Sequence, residues 1–407
     1  MYHLFEKYGI ELEYMIVDRA DERVCPVTDR VIKSASGSIQ NEICNGDISW
    51  SNELVLHVIE LKTTSPVPTV AGIDKSFQSN VNQINNLLEK FNARLMPGPM
   101  HPFMDPVREM RLWPHDYNPI YEAFDRIFSC KGHGWANLQS MHINLPFAND
   151  EEFGRLHAAI RMILPIIPAL SAASPIADGL LTGYMDTRMD VYRKNSSKIP
   201  SITGSVIPEP VYSPAQYQEK ILNKIYRDLA PFDPEGILQE EWVNARGAIA
   251  RFERNTIEIR VIDVQEAPVA DISIAALIIE AVRMMVEERV CSYQEQKKWE
   301  TEPLAVIFSD TVKSAEHTWI TDEKYLKCFG IHEKTCQALH IWNHLFTMMQ
   351  NSELVSKYSQ NLRTILDEGT LASRILRALG ETQNHPKIRE VYRKLSSCLQ
   401  EGVLFTR

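Results

Sequence analysis

Residues 9–18, Gly-Ile-Glu-Leu-Glu-Tyr-Met-Ile-Val-Asp, constrain the fold of this chain more than any other stretch. Ile10, Leu12, Tyr14 and Ile16 alternate with Glu11, Glu13, Met15 and Val17, a period of two that predicts a β-strand with one apolar face. The other face begins with two carboxylates. If both face a cavity in the sheet, their repulsion must be offset by cations, and Mg2+ or Mn2+ suits oxygen ligands best. The alternative is a face that is simply solvated.

Three further segments repeat the pattern. Glu53-Leu-Val-Leu-His-Val-Ile-Glu-Leu-Lys62 reads as a second strand, in which Glu53 and Glu60, seven residues apart, have opposite parity. Both can serve one site only if a bulge intervenes or Glu53 lies in the entry turn. Leu138–Pro146 reads as a third, with His142 and Asn144 on one face and Gln139 on the other parity. In Thr256–Val264 the residues Thr256, Glu258, Arg260, Ile262 and Val264 share one face, and Ile257, Ile259 and Val261 the other. Taken singly, His142 reads as a satisfied strand histidine and Glu258 with Arg260 as a plain salt bridge. Taken together, four strands that each present Glu or His share one explanation, divalent metals carrying a nucleotide phosphate beside an arginine.

Between these strands the signals are helical or irregular. Lys33–Ser51 reads as loop, Asp74 as the N-cap of a helix bearing Phe77, Val81, Ile84, Leu88 and Phe91, and Pro97–Pro102 as a shaped loop. An apolar helical region runs from Glu151 to about Ala172, with Pro165 and Pro168 expected to kink or split it. Ser174–Lys198, rich in Gly, Asp and Arg, reads as a ligand-handling loop, Ser213-Pro214 as the start of a helix reaching about Leu229, and Asp271 as the cap of an apolar helix to about Val290. The aromatic run from Arg111 to Trp135 follows no pattern, and packing is the default reading. Without a regular βαβ repeat, the expected class is α+β, with a core over residues 1–290 and a helical region over 291–407.

Composition narrows the function. Lys and Arg number 43 against 53 Asp and Glu, a net charge of −10, which argues against a general binder of nucleic acid or anionic membrane. The N-terminus has no signal architecture and no run approaches the ~18 apolar residues of a membrane span, so a soluble cytoplasmic protein is expected. Seven scattered cysteines without a CxxC pair indicate neither a disulfide framework nor a thiolate zinc site. There is no GxxxxGK[ST], no GxGxxG after a strand and no GxSxG elbow, which excludes P-loop, Rossmann and α/β-hydrolase chemistry but not ATP itself.

In sequence order, Gly9-Ile-Glu11-Leu-Glu13, Glu53 with Glu60-Leu-Lys-Thr63, Gln139-Ser-Met-His142-Ile-Asn144, Ser171–Pro175 through Thr182-Gly-Tyr184 and Arg188, and Thr256–Asp263 resemble the motifs of the glutamate–cysteine ligase superfamily. The chain resembles especially its bacterial carboxylate–amine ligase branch, whose catalytic domain is related to that of glutamine synthetase. The resemblance implies a curved, mainly antiparallel sheet forming a funnel, and ATP-dependent activation of a carboxylate, glutamate's γ-carboxylate above all, as an acyl phosphate that an amine such as L-cysteine then attacks. It implies Glu11, Glu13, Glu53, Glu60, His142 and Glu258 as ligands of Mg2+ or Mn2+, Arg260 and Glu258 as catalytic, and Arg188, Asn144, Gln139 and Tyr184 as substrate-binding. A place in glutathione biosynthesis and a homo-oligomer are further expectations from it. The chain departs from the branch at Ser140, Ala173 and Ala177, around the substrate pocket. A guanidino-kinase-type phosphotransferase and a non-catalytic metal-nucleotide-binding relative are the competing readings.

Overall fold

The computed structural model describes residues 1–406. Its centre is an eight-stranded antiparallel sheet in the order β2 (Glu42–Asn45), β3 (Ile48–Asn52), β4 (Val58–Thr63), β1 (Gly9–Asp18), β6 (Ser140–Pro146), β10 (Thr256–Asp263) and β9 (Ala248–Arg251). The eighth strand, β5 (Ala93–Met96), pairs with Met15–Asp18 of β1. Two short hairpins lie outside it, β7 (Ile176–Ala177) with β8 (Leu180–Leu181), and β11 (Trp319–Ile320) with β12 (Cys336–Gln337).

Period-two patterning divides the sheet as the sequence requires. Ile10, Leu12, Tyr14 and Ile16 of β1, Met141, Ile143 and Leu145 of β6, and Ile257 and Ile259 of β10 are buried in one apolar core. The same core takes in Phe77, Val81 and Ile84 of the helix Ile73–Leu88 and Leu156 and Ile160 of the helix Asp150–Ile163. Each such side chain, fully buried, contributes roughly 1.5–3 kcal/mol, so this layer holds the sheet in place while its other face carries charge. The helix Pro268–Val286 is apolar almost all round because helices cover it on several sides, among them Ile73–Leu88, Asp150–Ile163 and Ser359–Glu368. Pro165 and Pro168 divide the Asp150 helix as expected, into a 3-10 turn at Leu164–Ile166 and a short helix at Pro168–Ser171.

Beyond residue 290 the chain is helical apart from the β11–β12 hairpin, and its side chains join the same cores. Leu304, Trp342 and Leu345 extend the main one, and Trp342 Nε1 donates to the Ile166 carbonyl at 2.7 Å. Leu371, Ile375, Ile388 and Tyr392 pack with Met15, Val17 and Met96 in a second. No helix among the described residues is long and apolar enough to cross a membrane.

Several local expectations are corrected. Lys33–Ser51 is not a loop: the helix Thr28–Ser36 ends inside it, and β2 and β3 form a hairpin whose inner strand is wholly buried, so pairing overrides a Ser/Asn-rich composition. The strand expected over Glu53–Lys62 begins only at Val58, and Glu53 sits in the connection from β3. The Ser174–Lys198 segment contains the β7–β8 hairpin and the helix Thr187–Tyr192. Asp74 and Asp271 do not cap their helices; Gly72 and Ala267 precede them, and Asp271 Oδ1 instead accepts from the Gln265 amide at 2.8 Å.

A register shift in β10 has the largest consequence for the site. Ile259 faces Ile143 and Ile262 faces Met141, so Arg260 and Val261 together oppose His142 in a β-bulge. Ile262 therefore belongs to the core face, against the strict alternation, and Asp263 takes its place on the charged face opposite Ser140.

Candidate active site

On the charged face, register brings distant carboxylates side by side. Glu13 of β1 lies opposite Glu60 of β4, Glu11 opposite both Lys62 and His142, and Glu258 of β10 opposite Asn144. Like charges facing each other across strands are destabilising unless something neutralises them. His142 supplies part of that: its Nδ1 is 2.8 Å from Glu11 Oε2 and 3.6 Å from Glu258 Oε1, while its Nε2 is 2.9 Å from Ser140 Oγ and 3.9 Å from Glu13 Oε1. Burial would lower its pKa, but the bond to Glu11 and the charges of Glu258, Glu11 and Glu13 raise it to about 9. Glu11 is held well below the carboxylate range despite its burial, chiefly by His142 and then by Lys62 and Arg254.

The Glu13 side is less well compensated. Glu60 is raised to about 7 by burial and by the Glu11 charge, although Lys62 Nζ stands 3.1 Å from it and Ser51 Oγ donates to it at 2.5 Å. Glu53 is raised well above its ordinary value by burial and by Glu13 and Glu60. Glu13 Oε2 accepts from Ser140 N at 2.8 Å and from Ser140 Oγ at 3.2 Å.

Two groups of three side chains could each hold a cation, Glu11 with His142 and Glu258, and Glu13 with Glu60 and His142; within each, one ligand atom per residue lies within 4.8 Å of the others. The donors are four carboxylates and one imidazole, a hard set that suits Mg2+ or Mn2+, and the mutual repulsion of the crowded carboxylates is what a divalent cation would offset. Glu53 stands beside the second group, outside both triads.

Arginines complete the face. Arg260 Nε is 2.7 Å and Arg251 Nη1 3.1 Å from the Glu258 carboxylate, which holds the Arg260 charge firmly in place. Arg188 is fully buried and bonds through Nε to Asp263, which also accepts from Ala173 N at 2.8 Å and Ser174 Oγ at 3.1 Å. Burial and the neighbouring Asp263 charge raise Asp186 well above its ordinary value.

Two cavities open on either side of His142. One, about 460 Å³, is bordered by Glu11, Lys62, Asn144 and Arg254, with Lys7 and Thr256. The other, about 290 Å³, is bordered by Glu13, Glu53, His142, Arg188 and Arg260, with an aromatic wall that includes Trp135 and Trp242. Of the residues singled out from sequence, Arg188 and Asn144 thus lie in different cavities, Asn144 donating to Glu11 Oε1 at 3.0 Å. Gln139 and Tyr184 border neither: Gln139 precedes β6 on the core parity with an unpartnered, buried amide, and Tyr184 is part of the turn closed by Thr182. Within the Arg111–Trp135 run, Tyr121, Phe124 and Trp135 line the second cavity whereas Trp113 is core.

Lys62, Asp263 and Arg251 also belong to this face, although their sequence context assigns them no role. Lys62 could have been found, since it shares parity with Glu60. Asp263 could not, because the bulge that turns it inward leaves no periodic trace.

Comparisons with known proteins show the family and the fold. The profile of glutamate–cysteine ligase family 2 (GCS2) matches residues 7–394. An uncharacterized protein of Archaeoglobus fulgidus is 31% identical over 403 residues, covering 98% of this chain and 99% of its own. A Rubrobacter xylanophilus protein provisionally named glutamate–cysteine ligase 2-3 is 26% identical over 188 residues, 45% of this chain and 47% of that protein. In fold the chain is similar to a Francisella tularensis glutamate–cysteine ligase solved with AMP, with a TM-score of 0.57 and 13% identity over 97% of this chain and 89% of that one. It is also similar to PafA, the ligase of the ubiquitin-like protein Pup, at a TM-score of 0.50 and 12% identity over 95% and 72%. The chain belongs to glutamate–cysteine ligase family 2. It is accordingly an ATP-dependent ligase that forms a carbon–nitrogen bond, a class that leaves the guanidino-kinase reading without support.

Proposed function

We propose that the protein activates the γ-carboxylate of L-glutamate with ATP and joins it to a small amine, L-cysteine or another. The observation that carries this reading is the pair of three-ligand groups meeting at His142 between two cavities. In it, the first cavity takes the nucleotide, whose phosphates suit Lys62 and Arg254, and the second takes the amino acid. Glu11, Glu13, Glu60, His142 and Glu258, with Glu53 beside them, would hold Mg2+, which supplies neutralisation of phosphate charge. Arg260 is positioned by Glu258 to meet the transferred phosphoryl oxygens. Arg188, fixed by Asp263 and with Nη1 and Nη2 each donating to the Arg260 carbonyl at 3.4 Å, would turn its other N–H groups toward the substrate carboxylate. The acyl carbon then sits where an amine can displace phosphate, and the aromatic wall keeps water from competing.

The reading supports a cytoplasmic enzyme acting on small molecules, with glutathione synthesis as one setting. ADP release is its test. Mg2+, glutamate and an amine together should stimulate release, with a product of the mass of the γ-glutamyl amide. If no pairing of glutamate with an amino acid or amine raises ADP release above that of ATP alone, the reading fails.

A further inference from the structure

A separate set of metal-binding side chains lies in the helical region, remote in sequence from the funnel. The helix Ala338–Met349 buries Ile341, Trp342, Leu345 and Met349, and at its outer surface it carries His340 and His344. Positions i and i+4 lie one turn apart on the same face, so the two imidazoles are neighbours. The turn before β12 brings His332 and Glu333 to the same place: Gly330, His332, Glu333, His340 and His344 border one open cavity of about 430 Å³. Gly330 has φ +76°, and a Cβ there would stand 3.7 Å from His344 Nε2, so that nitrogen points at the turn.

None of these four side chains makes a hydrogen bond or ion pair to another side chain or to the backbone of the described residues; the contacts of both kinds run elsewhere. As they stand, no three of their ligand atoms lie within 4.8 Å of one another, but side chains without partners, exposed or half-buried, can turn through their rotamers at small entropic cost. Three imidazoles and a carboxylate are also a different chemistry from the funnel. Nitrogen donors favour Zn2+, Ni2+ or Cu2+, and three histidines with one oxygen ligand fill a tetrahedron. We propose that His332, Glu333, His340 and His344 form a second metal site, selective for a borderline-soft divalent cation such as Zn2+ over the Mg2+ of the funnel.

The test uses the full chain, dialysed against Zn2+ with millimolar Mg2+ present to occupy the funnel. The parent should retain one Zn2+ per chain, His340→Asn with His344→Asn should retain none, and His332→Asn alone should bind at least tenfold more weakly. Co2+ in place of Zn2+ should give the visible absorption of a tetrahedral site in the parent and in Glu258→Gln, but not in the double variant. Equal Zn2+ retention by parent and double variant, no retention by the parent, or loss of the signal in Glu258→Gln would each overturn the proposal. Circular dichroism of the double variant separates loss of ligands from loss of fold, since both histidines lie outside the core.

Discussion

The two sides of His142 hold similar residues under different electrostatic conditions. Toward the first cavity, Glu11 is matched by His142, Lys62 and Arg254 and keeps its charge at any ordinary pH. Toward the second, Glu13, Glu53 and Glu60 crowd together, and burial with mutual repulsion drives Glu60 and Glu53 toward their protonated forms. The first side is close to neutral with the protein's own cations, whereas on the second the carboxylates still repel one another although Arg188 and Arg260 line the same cavity. The same strand alternation that builds a stable core on one face therefore stores repulsion on the other, and it does so unevenly.

The largest expected effect comes from Glu258, which touches both sides of the comparison through His142, Arg260 and Arg251. Glu258→Gln removes one ligand of the first group and frees Arg260 to swing. Turnover should fall on the order of a thousandfold, about 4 kcal/mol, with the far-ultraviolet dichroism unchanged. Retained turnover would take Glu258 out of the site.

Glu60 tests the crowded side directly. Its folded pKa of about 7 lies above its unfolded value of 4.5, so between these the folded chain holds a proton that the unfolded chain has shed. Stability of the metal-free protein therefore falls as pH rises through that window and stays low above it. Glutamine carries no charge, so metal-free Glu60→Gln should be more stable than the parent at pH 8 by about 1–3 kcal/mol in urea unfolding. Adding Mg2+ should reverse the order. A parent that is the more stable without Mg2+ would show that Lys62 and Ser51 already compensate the site.

How much of this was legible in the sequence follows from where periodicity holds. β1 is found at Gly9–Asp18 as its alternation predicts, because a strand buried on one face has a register that a one-residue slip would destroy. The charged face of β6 follows for the same reason. The β10 pattern is legible up to Ile259 and fails after it, since a bulge adds a residue without changing composition. Glu53 reaches the site from a connection, not a strand, and β2–β3 is held by pairing and burial that local propensity does not encode. The Arg111–Trp135 aromatics divide between cavity and core by tertiary placement alone.

Asp263 measures what the bulge contributes. Its carboxylate holds Arg188 and ties β10 to the Ala173–Ser174 backbone, all of it buried. Asp263→Asn keeps the shape and some hydrogen bonding but removes the charge that orients the guanidinium. On the proposed reading, KM for the carboxylate substrate should rise about 10- to 100-fold with a much smaller change in kcat, because the lost interaction serves binding. Equal loss in kcat and kcat/KM would instead place Arg188 in the transition state.

The smallest effect separates His142 from two histidines behind the second cavity. His57, between the cavity residues Val55 and Val58, and His101 nearby are lowered to about 4 by burial, although each ring is bonded to a backbone carbonyl, that of Ala136 or of Glu22. They are neutral where His142 is charged. A histidine whose folded pKa lies below its unfolded 6.5 contributes stability above that value and loses it as pH falls toward 4, because the unfolded chain then takes up a proton that the folded chain refuses. His57→Gln has no such proton, so the stability gap between parent and variant should be widest at pH 7 and narrower by about 1–2 kcal/mol at pH 5. The comparison is made by urea unfolding with Mg2+ saturating, so that the funnel carboxylates contribute equally to both proteins. A gap that widens on acidification would mean that His57 is protonated in the folded chain.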